Sequence, residues 1–341
     1  MTPPRPIEIV GGGLAGLSLG IALRRAGVPV TLHEAGDYPR HRVCGEFITG
    51  LGAQTIAALD LGDALAGAES HRDVAWHVGN RPTATHRLPS PALGLSRHVL
   101  DARLARRFVA LGGELRTGSR RSIPADSAGI VWANGRRRAM RSPWLGLKVH
   151  VHDLPLRSGL ELHLGARCYV GLTRIEAGAV NVCGLFARAA LRQRGSGLLL
   201  SYLEHAGLET LAQRLAAARI DEASFCAVAA IGFDRRVPAA RAMQIGDANA
   251  MVPPFTGNGM AMAFQSAEAA LPSLVAYAFG GMEWPAAHLA VQIALQRKFR
   301  VRLATAGALH PFLLERPRQR WLAALSRRRL LPFRALYAAL H

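Results

Sequence analysis

The chain has 341 residues, of which 50% are hydrophobic and 19% are charged. This composition supplies a large hydrophobic core and excludes an intrinsically disordered protein. Arginine, glycine or proline interrupts the longest apolar runs before the ~18 residues that a membrane span needs, so we expect neither a transmembrane helix nor a signal peptide. The length favours two interleaved lobes.

The net charge of +19 comes almost wholly from arginine, because Lys148 and Lys298 are the only lysines. A charge of this size favours encounters with anionic molecules. No platform of aromatic and basic residues accompanies it, so we do not expect a nucleic-acid partner. The cysteines form no C-x-x-C pair, which argues against a zinc site and a disulfide scaffold and favours a reducing cytoplasm. They are Cys44, Cys168, Cys183 and Cys226.

The first third of the chain has the pattern of a βαβ unit followed by another helix and strand. Short apolar runs predict buried strands, and apolar residues at three- and four-residue spacing predict helices. The predicted elements are a strand at 6–10, a helix at 14–26, a strand at 28–33, a helix at 100–111 and a strand at 129–133.

Alternating apolar and polar residues with glycine-containing turns predict an antiparallel sheet over residues 144–186. A helix is predicted at 198–218, and residues 225–233 are expected to return the chain to the first lobe. The lobe with the antiparallel sheet is therefore an insertion. Further helices are predicted at 260–279, 286–308 and 316–340.

The glycine-rich turn after the first strand predicts a dinucleotide site. Gly11, Gly13 and Gly16 fit G-x-G-x-x-G, in which the glycines allow the tight turn, the backbone approach to a pyrophosphate and close helix–strand packing. Glu34 ends the next strand, where a carboxylate can accept hydrogen bonds from ribose hydroxyls. A glutamate there favours an adenosine without a 2′-phosphate. FAD and NAD both satisfy this pattern.

A second motif favours FAD. Gly246-Asp247 and the segment 253–260, which reads PPFTGNGM, resemble the large FAD-dependent superfamily of aromatic-ring monooxygenases, flavin halogenases and geranylgeranyl reductases. The resemblance implies that Asp247 bonds the ribityl chain of FAD and that the following segment opens a helix beside the isoalloxazine. The N-terminus of that helix offers N–H groups and a positive dipole to a reduced, anionic flavin. Residues 96–104 are similar to a third family motif, which implies that Arg97 lies close to the cofactor.

The segment 42–47 resembles the Cys-Gly-Glu turn of the reductase branch and implies that Cys44 lies near the reactive face of the flavin. The neighbouring Arg40, His41 and Arg42 are expected to lower the pKa of the Cys44 thiol. The alternative is a small packing residue on a loop.

Other motifs of these branches are absent. Residues 169–174 lack the aromatic stretch of the prenyl reductases, and the halogenase signature is also missing, so we do not expect halogenation. Asn134-Gly135 stands where hydroxylases have Asp-Gly. The arginines that follow it, at positions 136–138, are interpreted as a solvated turn or as an attraction for the phosphates of a nicotinamide dinucleotide. His150 and His152 share a strand face without a third ligand, so we expect no metal.

These motifs define the expected cofactor contacts and one tentative catalytic residue, Cys44. The predicted FAD-binding residues are Gly11, Gly13, Leu14, Ala15, Gly16, Glu34, Ala35, Arg42, Cys44, Gly45, Arg97, Asn134, Gly246, Asp247, Pro254, Gly257, Asn258, Gly259 and Met260.

The predicted fold class is α/β, with a Rossmann-like FAD-binding domain of the glutathione-reductase type, an inserted antiparallel-sheet substrate domain and C-terminal helices. The FAD-binding domain is assigned to residues 1–60, 95–140 and 240–285, the substrate domain to 61–94 and 141–239, and the helical region to 286–341.

We expect a cytoplasmic, monomeric or dimeric FAD-dependent oxidoreductase of secondary metabolism that acts on a small apolar or aromatic molecule. In this hypothesis NAD(P)H reduces FAD, which then activates O2 to hydroxylate an aromatic or polyketide-like substrate. The alternative is hydride delivery to an activated double bond. A second alternative is a membrane-associated flavoprotein with non-catalytic FAD, because segment 316–340 combines seven arginines with apolar residues. The interpretation of that segment as helices that cap the FAD lobe is preferred.

Overall fold

A computed structural model describes residues 3–121, 127–136, 139, 141–233 and 242–341. Within these residues the strands form two sheets, one of five strands and one of eight. This arrangement, together with the helices at the carboxyl end of the chain, confirms the predicted α/β fold class with a Rossmann-like core.

The smaller sheet is parallel and has the order β13-β7-β1-β2-β6. Helix α1 (Leu14–Arg25) connects its first two strands, so the predicted βαβ unit is confirmed. The carboxyl ends of parallel strands lie at one edge of the sheet, where ligands of such folds bind. The strands are β1 (Ile7–Val10), β2 (Val30–His33), β6 (Glu114–Arg116), β7 (Ile130–Trp132) and β13 (Met243–Gln244).

The larger sheet has the order β12-β8-β11-β10-β9-β4-β5-β3. Within the described residues its neighbouring strands pair antiparallel except for β4 with β9, which are parallel. The antiparallel sheet expected over 144–186 is thus confirmed and extended at both edges. The strands are β3 (Phe47–Ile48), β4 (Glu69–Val78), β5 (Arg81–Gly94), β8 (Trp144–His152), β9 (Leu160–Gly165), β10 (Cys168–Arg174), β11 (Val180–Ala187) and β12 (Arg219–Ala229).

The helices differ from the predicted ones mainly at breaks inside two long segments. The single helix predicted at 198–218 is wrong, because Gly207 adopts a left-handed φ of 76° and separates two helices. The segment 316–340 is likewise two helices. The remaining helices are α2 (Ala53–Ala58), α3 (Arg97–Ala110), α4 (Gly195–His205), α5 (Glu209–Ala216), α6 (Gly259–Ala278), α7 (Trp284–Leu314), α8 (Arg316–Arg327) and α9 (Phe333–Leu340).

The return strand begins earlier than the expected residues 225–233. Strand β12 starts at Arg219 and forms the edge of the larger sheet beside β8. The core of the smaller sheet packs α1, α3 and α6 against its strands, whereas α4 and α5 cover one face of the larger sheet. Among the described residues, no helix has both the length and the apolar character that a membrane crossing requires.

Candidate functional site

A cavity of about 1100 Å³ lies between the two sheets. It touches the carboxyl ends of β1, β2, β7 and β13 on one side and the larger sheet and the C-terminal helices on the other. Its volume exceeds the ~300–1,000 Å³ that is typical of a site for one small molecule. The cavity therefore has room for a dinucleotide and a second ligand.

The glycine turn forms one wall of the cavity, and its three glycines have different surroundings. A Cβ on Gly11 would lie 2.3 Å from the carbonyl oxygen of Ala133, and a Cβ on Gly16 would lie 2.0 Å from that of Gly11. A Cβ on Gly13 would meet no described atom closer than Arg97 Nη2, at 4.0 Å. Gly11 and Gly16 are thus required by packing, whereas the space beside Gly13 belongs to the cavity.

Helix α1 begins at this turn, and Gly13 is its N-cap residue without a side-chain hydrogen bond. The first N–H groups of a helix have no partner within the helix and carry a partial positive charge. Gly13, Leu14 and Ala15 line the cavity. The turn therefore offers N–H donors to an anion bound there.

Glu34 lies in the cavity wall, but its carboxylate already has protein partners. Oε2 accepts from the Gly12 N–H at 2.8 Å, and Oε1 accepts from Arg40 at 2.6 Å. Arg42 and the Gly36 N–H complete the set. Although burial favours the neutral form, these donors and positive charges lower the pKa of the Glu34 carboxyl. A ribose hydroxyl would have to compete with Arg40 for this carboxylate.

Asp247 follows β13 and is exposed to the interior of the cavity. Because the surrounding protein removes much of the solvent, desolvation raises the pKa of the Asp247 carboxyl, and the positive charges of Arg97 and Arg136 only partly oppose this. Gly246 has a left-handed φ of 60°, and its N–H donates to Ser266 Oγ at 2.8 Å. This turn aims the carboxyl into the cavity.

A second helix N-terminus faces the same cavity. Asn258 is the N-cap residue of α6 without a side-chain cap, and Gly259 and Met260 of the first turn line the cavity. A Cβ on Gly259 would meet nothing within 4 Å. Gly257 has a φ of 68° and packs against Phe47. The two helix N-termini together make the polar half of the cavity suited to a ligand with negative charge.

Cys44 lines the cavity, but the expected lowering of its thiol pKa is wrong. Burial raises the pKa of the Cys44 thiol, and the positive charge of Arg97 does not compensate. Its loop is fixed on the larger sheet, since Asn181 Nδ2 donates to the Cys44 carbonyl at 3.0 Å and Thr173 Oγ1 to the Gly45 carbonyl at 3.1 Å. Cys44 is therefore placed as a packing and lining residue with a protonated thiol at neutral pH.

Arg97 is held by Asp101 one helical turn later. The guanidinium donates to both carboxylate oxygens, at 2.7 and 2.8 Å, while Arg42 donates to the same carboxylate at 3.0 Å. Ser96 caps this helix, because its Oγ accepts from the Val99 N–H at 3.1 Å. A buried carboxylate thus fixes two arginines in the cavity wall.

The structure brings most of the predicted site residues together. Two of them do not line the cavity: Gly16 packs against Gly11, and Asn258 is buried, with its side chain bonded to Thr49 Oγ1 and the Leu340 carbonyl. Arg137 and Arg138 lie outside the described residues. The predicted residues that line the cavity are Gly11, Gly13, Leu14, Ala15, Glu34, Ala35, Arg42, Cys44, Gly45, Arg97, Asn134, Gly246, Asp247, Pro254, Gly257, Gly259 and Met260.

The other half of the cavity is apolar and more aromatic than the sequence suggested. Although β10 lacks the aromatic stretch of the prenyl reductases, Tyr169 of that strand lines the cavity. Other aromatic side chains come from the loop before α6, which the sequence predicted to lie beside a flavin, and from the C-terminal helices, which it did not connect with the site. They are Phe255, Phe312, Phe333 and Tyr337.

A buried ionic cluster next to the Cys44 loop was also missed. The Glu46 carboxylate lies 3.4 Å from Lys148 Nζ and 2.6 Å from His150 Nε2. Lys148 Nζ is 3.1 Å from His41 Nδ1. The loop residues and the β8 residues of this cluster are distant in sequence. Only the alternation of β8, which places Lys148 and His150 on one face, could have indicated the cluster.

Among the residues that the structure describes, two groups are spaced closely enough to hold a metal: His41 with His150 and Asp221, and His77 with Glu161 and His163. Each also contacts a basic side chain, Lys148 at His41 and Arg214 at Glu161, which opposes a second cation. The absence of a metal stays a prediction.

Residues 9–64 match the model of the NAD(P)-binding Rossmann-like domain family. No curated protein is significantly similar in sequence to the chain. Several solved structures are similar in fold.

Pseudomonas aeruginosa PqsL, described as a probable FAD-dependent monooxygenase and solved in complex with 2-aminobenzoylacetate, is 17% identical, with a TM-score of 0.73 over 94% of this chain and 98% of that one. p-Nitrophenol 4-monooxygenase PnpA from Pseudomonas putida DLL-E4 is 18% identical, with a TM-score of 0.72 over 99% of both chains. A geranylgeranyl bacteriochlorophyll reductase-like protein from Thermoplasma acidophilum is 14% identical, with a TM-score of 0.77 over 98% of this chain and 95% of that one. The chain therefore has the fold that these proteins share.

Proposed function

We propose that this chain binds FAD and, with NAD(P)H and O2, hydroxylates a small aromatic or polyketide-like substrate. The observation that carries the proposal is the convergence of two helix N-termini and Asp247 on one cavity whose other half is apolar. An anionic dinucleotide fits the polar half, and an apolar substrate fits the other. PqsL and PnpA, which have the same fold, are described as monooxygenases, and this supports the same class of reaction.

FAD fits the residues of the polar half in three respects. The open space beside Gly13 and the N–H groups of α1 suit a pyrophosphate. The Asp247 carboxyl lines the cavity and would accept hydrogen bonds from the hydroxyls of a ribityl chain. The α6 N-terminus, with the open space at Gly259, suits the pyrimidine edge of a flavin that becomes anionic on reduction. When bound, FAD supplies the electron transfer between a nicotinamide, O2 and the substrate.

The protein contributes placement and the exclusion of water. Leu322 and Leu340 are buried, and Leu313 and Leu331 join them in the cavity wall, so the C-terminal helices close the apolar half. An apolar, water-poor site protects a reactive reduced cofactor from side reactions. The described residues in this half are mainly hydrocarbon and aromatic, which favours a substrate of that character.

The first test is anaerobic addition of NADH or NADPH to the FAD-reconstituted protein. Bleaching of the flavin absorbance, followed by oxygen consumption and hydroxylated product with candidate aromatic acids, phenols or polyketides, is expected. The flavin could also bleach without oxygen uptake and yield only a product with a reduced double bond. That result would contradict hydroxylation and support the reductase alternative. Failure of both nicotinamides to bleach the flavin would contradict NAD(P)H dependence.

The rival with non-catalytic FAD rests on the outer surface of α8 and the following turn. Trp321 is 63% exposed and Leu330 is 64% exposed, with exposed arginines on both sides. Arginines flanking apolar side chains suit an anionic membrane surface. Most other apolar residues of the segment face the protein, which favours a role in closing the cavity. Flotation with vesicles containing phosphatidylglycerol at physiological salt tests this rival. A protein that does not float with the vesicles would contradict binding to an anionic membrane.

A further inference from the structure

The buried cluster beside the Cys44 loop holds an acidic and a basic side chain at the cavity wall. Glu46 and Lys148 are both completely buried, and Glu46 adopts a left-handed φ of 52°. The Glu46 carboxylate accepts from the Arg97 N–H at 3.0 Å as well as from His150. These donors and the Lys148 charge lower the pKa of the Glu46 carboxyl despite its burial. The carboxylate is therefore charged, and Lys148 is its ammonium partner.

The contact between Lys148 and His41 fixes which ring nitrogen of His41 carries the proton. An ammonium group has three donors and no acceptor. The 3.1 Å contact of Lys148 Nζ with His41 Nδ1 therefore requires Nδ1 to accept. Burial, followed by the charge of Lys148, lowers the pKa of His41 to about 4. At neutral pH His41 is thus a neutral imidazole with its hydrogen on Nε2.

The Nε2–H of His41 is available to a ligand. His41 lines the cavity, and among the described residues none accepts a hydrogen bond from Nε2. The ring itself is held in place, because it stacks on His98 at 4.4 Å and meets the His150 ring edge to face at 5.1 Å. The charged and titratable groups around it are Lys148, His98, His150, Glu46 and Asp221.

We propose that His41 delivers a proton from Nε2 to a group bound in the cavity and that Lys148 replaces it at Nδ1. The proposal rests on the proposed function. One proton leaves Nε2 for the acceptor, and one moves from the Lys148 ammonium to Nδ1. His41 stays neutral, Lys148 becomes a neutral amine, and the total charge is unchanged. Lys148 is reprotonated by the reverse route: Nε2 of His41 takes up a proton from solvent that reaches the cavity, and Nδ1 returns a proton to Lys148. Lys148 and Glu46 are positioning residues in this arrangement.

The reaction with O2 needs such a proton. O2 takes up two electrons and two protons, both in a hydroxylation, where it gives the hydroxyl oxygen of the product and water, and without substrate, where it gives hydrogen peroxide. Reduced, anionic FAD supplies both electrons and one proton, so the second proton comes from the protein or from water. General acid catalysis by a placed side chain accelerates such steps by ~10²–10⁴-fold.

The tautomer is tested first, on the protein without added cofactor. In ¹⁵N-histidine-labelled protein, long-range ¹H–¹⁵N spectra assigned with the His41→Gln variant are expected to show neutral His41 with its hydrogen on Nε2 at pH 7. Lys148→Met is expected to raise the pKa of His41, because it removes a positive charge. A hydrogen on Nδ1, or a charged His41 at pH 7, would overturn the proposal even if the Lys148 variant fails to fold.

Proton delivery is tested by single-turnover reoxidation. The FAD-reconstituted protein is photoreduced without oxygen, mixed with O2-containing buffer and followed by flavin absorbance across pH. His41→Gln is expected to keep its FAD affinity but to reoxidise ~100-fold more slowly at pH 7. The matched control is His152→Gln, at the end of strand β8, which also carries Lys148, and it is expected to behave as wild type. Wild-type rates for His41→Gln at every pH would overturn proton delivery, whereas a wild-type protein that binds no FAD would contradict the proposed function instead.

Discussion

Two alanine substitutions in the glycine turn separate its binding role from its folding role. The backbone of Gly13 has a φ of −85°, which alanine adopts without strain, and a Cβ there meets no described atom within 4.0 Å apart from Arg97. Gly13→Ala is therefore expected to leave the free energy of unfolding within ~0.5–1 kcal/mol of wild type. Gly16→Ala places its Cβ 2.0 Å from the Gly11 carbonyl, so one element has to move. Such overpacking costs about 1–3 kcal/mol.

Gly13→Ala is expected to lower the affinity for FAD rather than the stability of the protein. The Gly13→Ala methyl group enters the space where a pyrophosphate approaches the N–H groups of α1. The overpacking therefore weakens the binding free energy of FAD by about 1–3 kcal/mol, which raises the Kd roughly 5- to 150-fold. Titration of the apoprotein with FAD by flavin fluorescence measures this, and chemical unfolding measures stability. Gly62→Ala is the matched control, because its Cβ also meets nothing within 4 Å but lies outside the cavity. Wild-type affinity in Gly13→Ala would refute the assignment of this space to a phosphate.

Two further substitutions and one alkylation experiment test individual side chains. Asp247→Asn removes a charged hydrogen-bond acceptor and is expected to weaken FAD binding by about 1.5–3 kcal/mol in the same titration, whereas an unchanged Kd would contradict the ribityl assignment. Burial raises the pKa of the Cys44 thiol, so iodoacetamide is expected to alkylate it slowly at pH 7.5 and faster only above the ordinary pKa of a cysteine. Mass spectrometry measures the rate of alkylation. Rapid alkylation at neutral pH would contradict the raised pKa. Hydrogen bonds from His163 and Arg214 lower the pKa of Glu161 to about 2, so its contribution to stability is complete above the unfolded pKa of ~4.3 and is lost as the pH falls toward 2. Glu161→Gln is expected to lower the unfolding free energy at pH 7 by about 1.5–3 kcal/mol and to flatten its pH dependence over that window; an unchanged pH profile would contradict the assignment.

Local rules explain what could be predicted from the sequence. The glycine turn, the strand before it and the helix after it are contiguous. The structure gives a steric reason for Gly11 and Gly16, whereas the role of Gly13 beside a pyrophosphate stays a prediction. The hairpin β4–β5 was not predicted as strands, because β5 contains Pro82, Pro89 and Pro91, which are normally unfavourable in a sheet. The break at Gly207 was missed, although glycine in a left-handed conformation is a common helix terminator.

Contacts between distant segments could not be predicted in the same way. Glu46, Lys148 and His41 stand on two elements that meet only after the larger sheet packs against the loop before β3. The Cys44 thiol illustrates the same limit, because the positive neighbours are visible in the sequence whereas the burial that outweighs them is not. Part of the wall of the apolar half comes from the C-terminal helices, whose composition favoured helices that cap the FAD lobe but also suited a membrane surface.

The most direct test of the account is equilibrium binding of FAD to the purified apoprotein. We expect one FAD per chain, an absorption spectrum with the shifted bands of a protein-bound flavin and competition by ADP, which shares the pyrophosphate and the adenosine. A protein that binds ADP but not FAD would keep the dinucleotide site and contradict the flavin. A protein that binds neither would contradict the central claim that the two helix N-termini hold this cofactor.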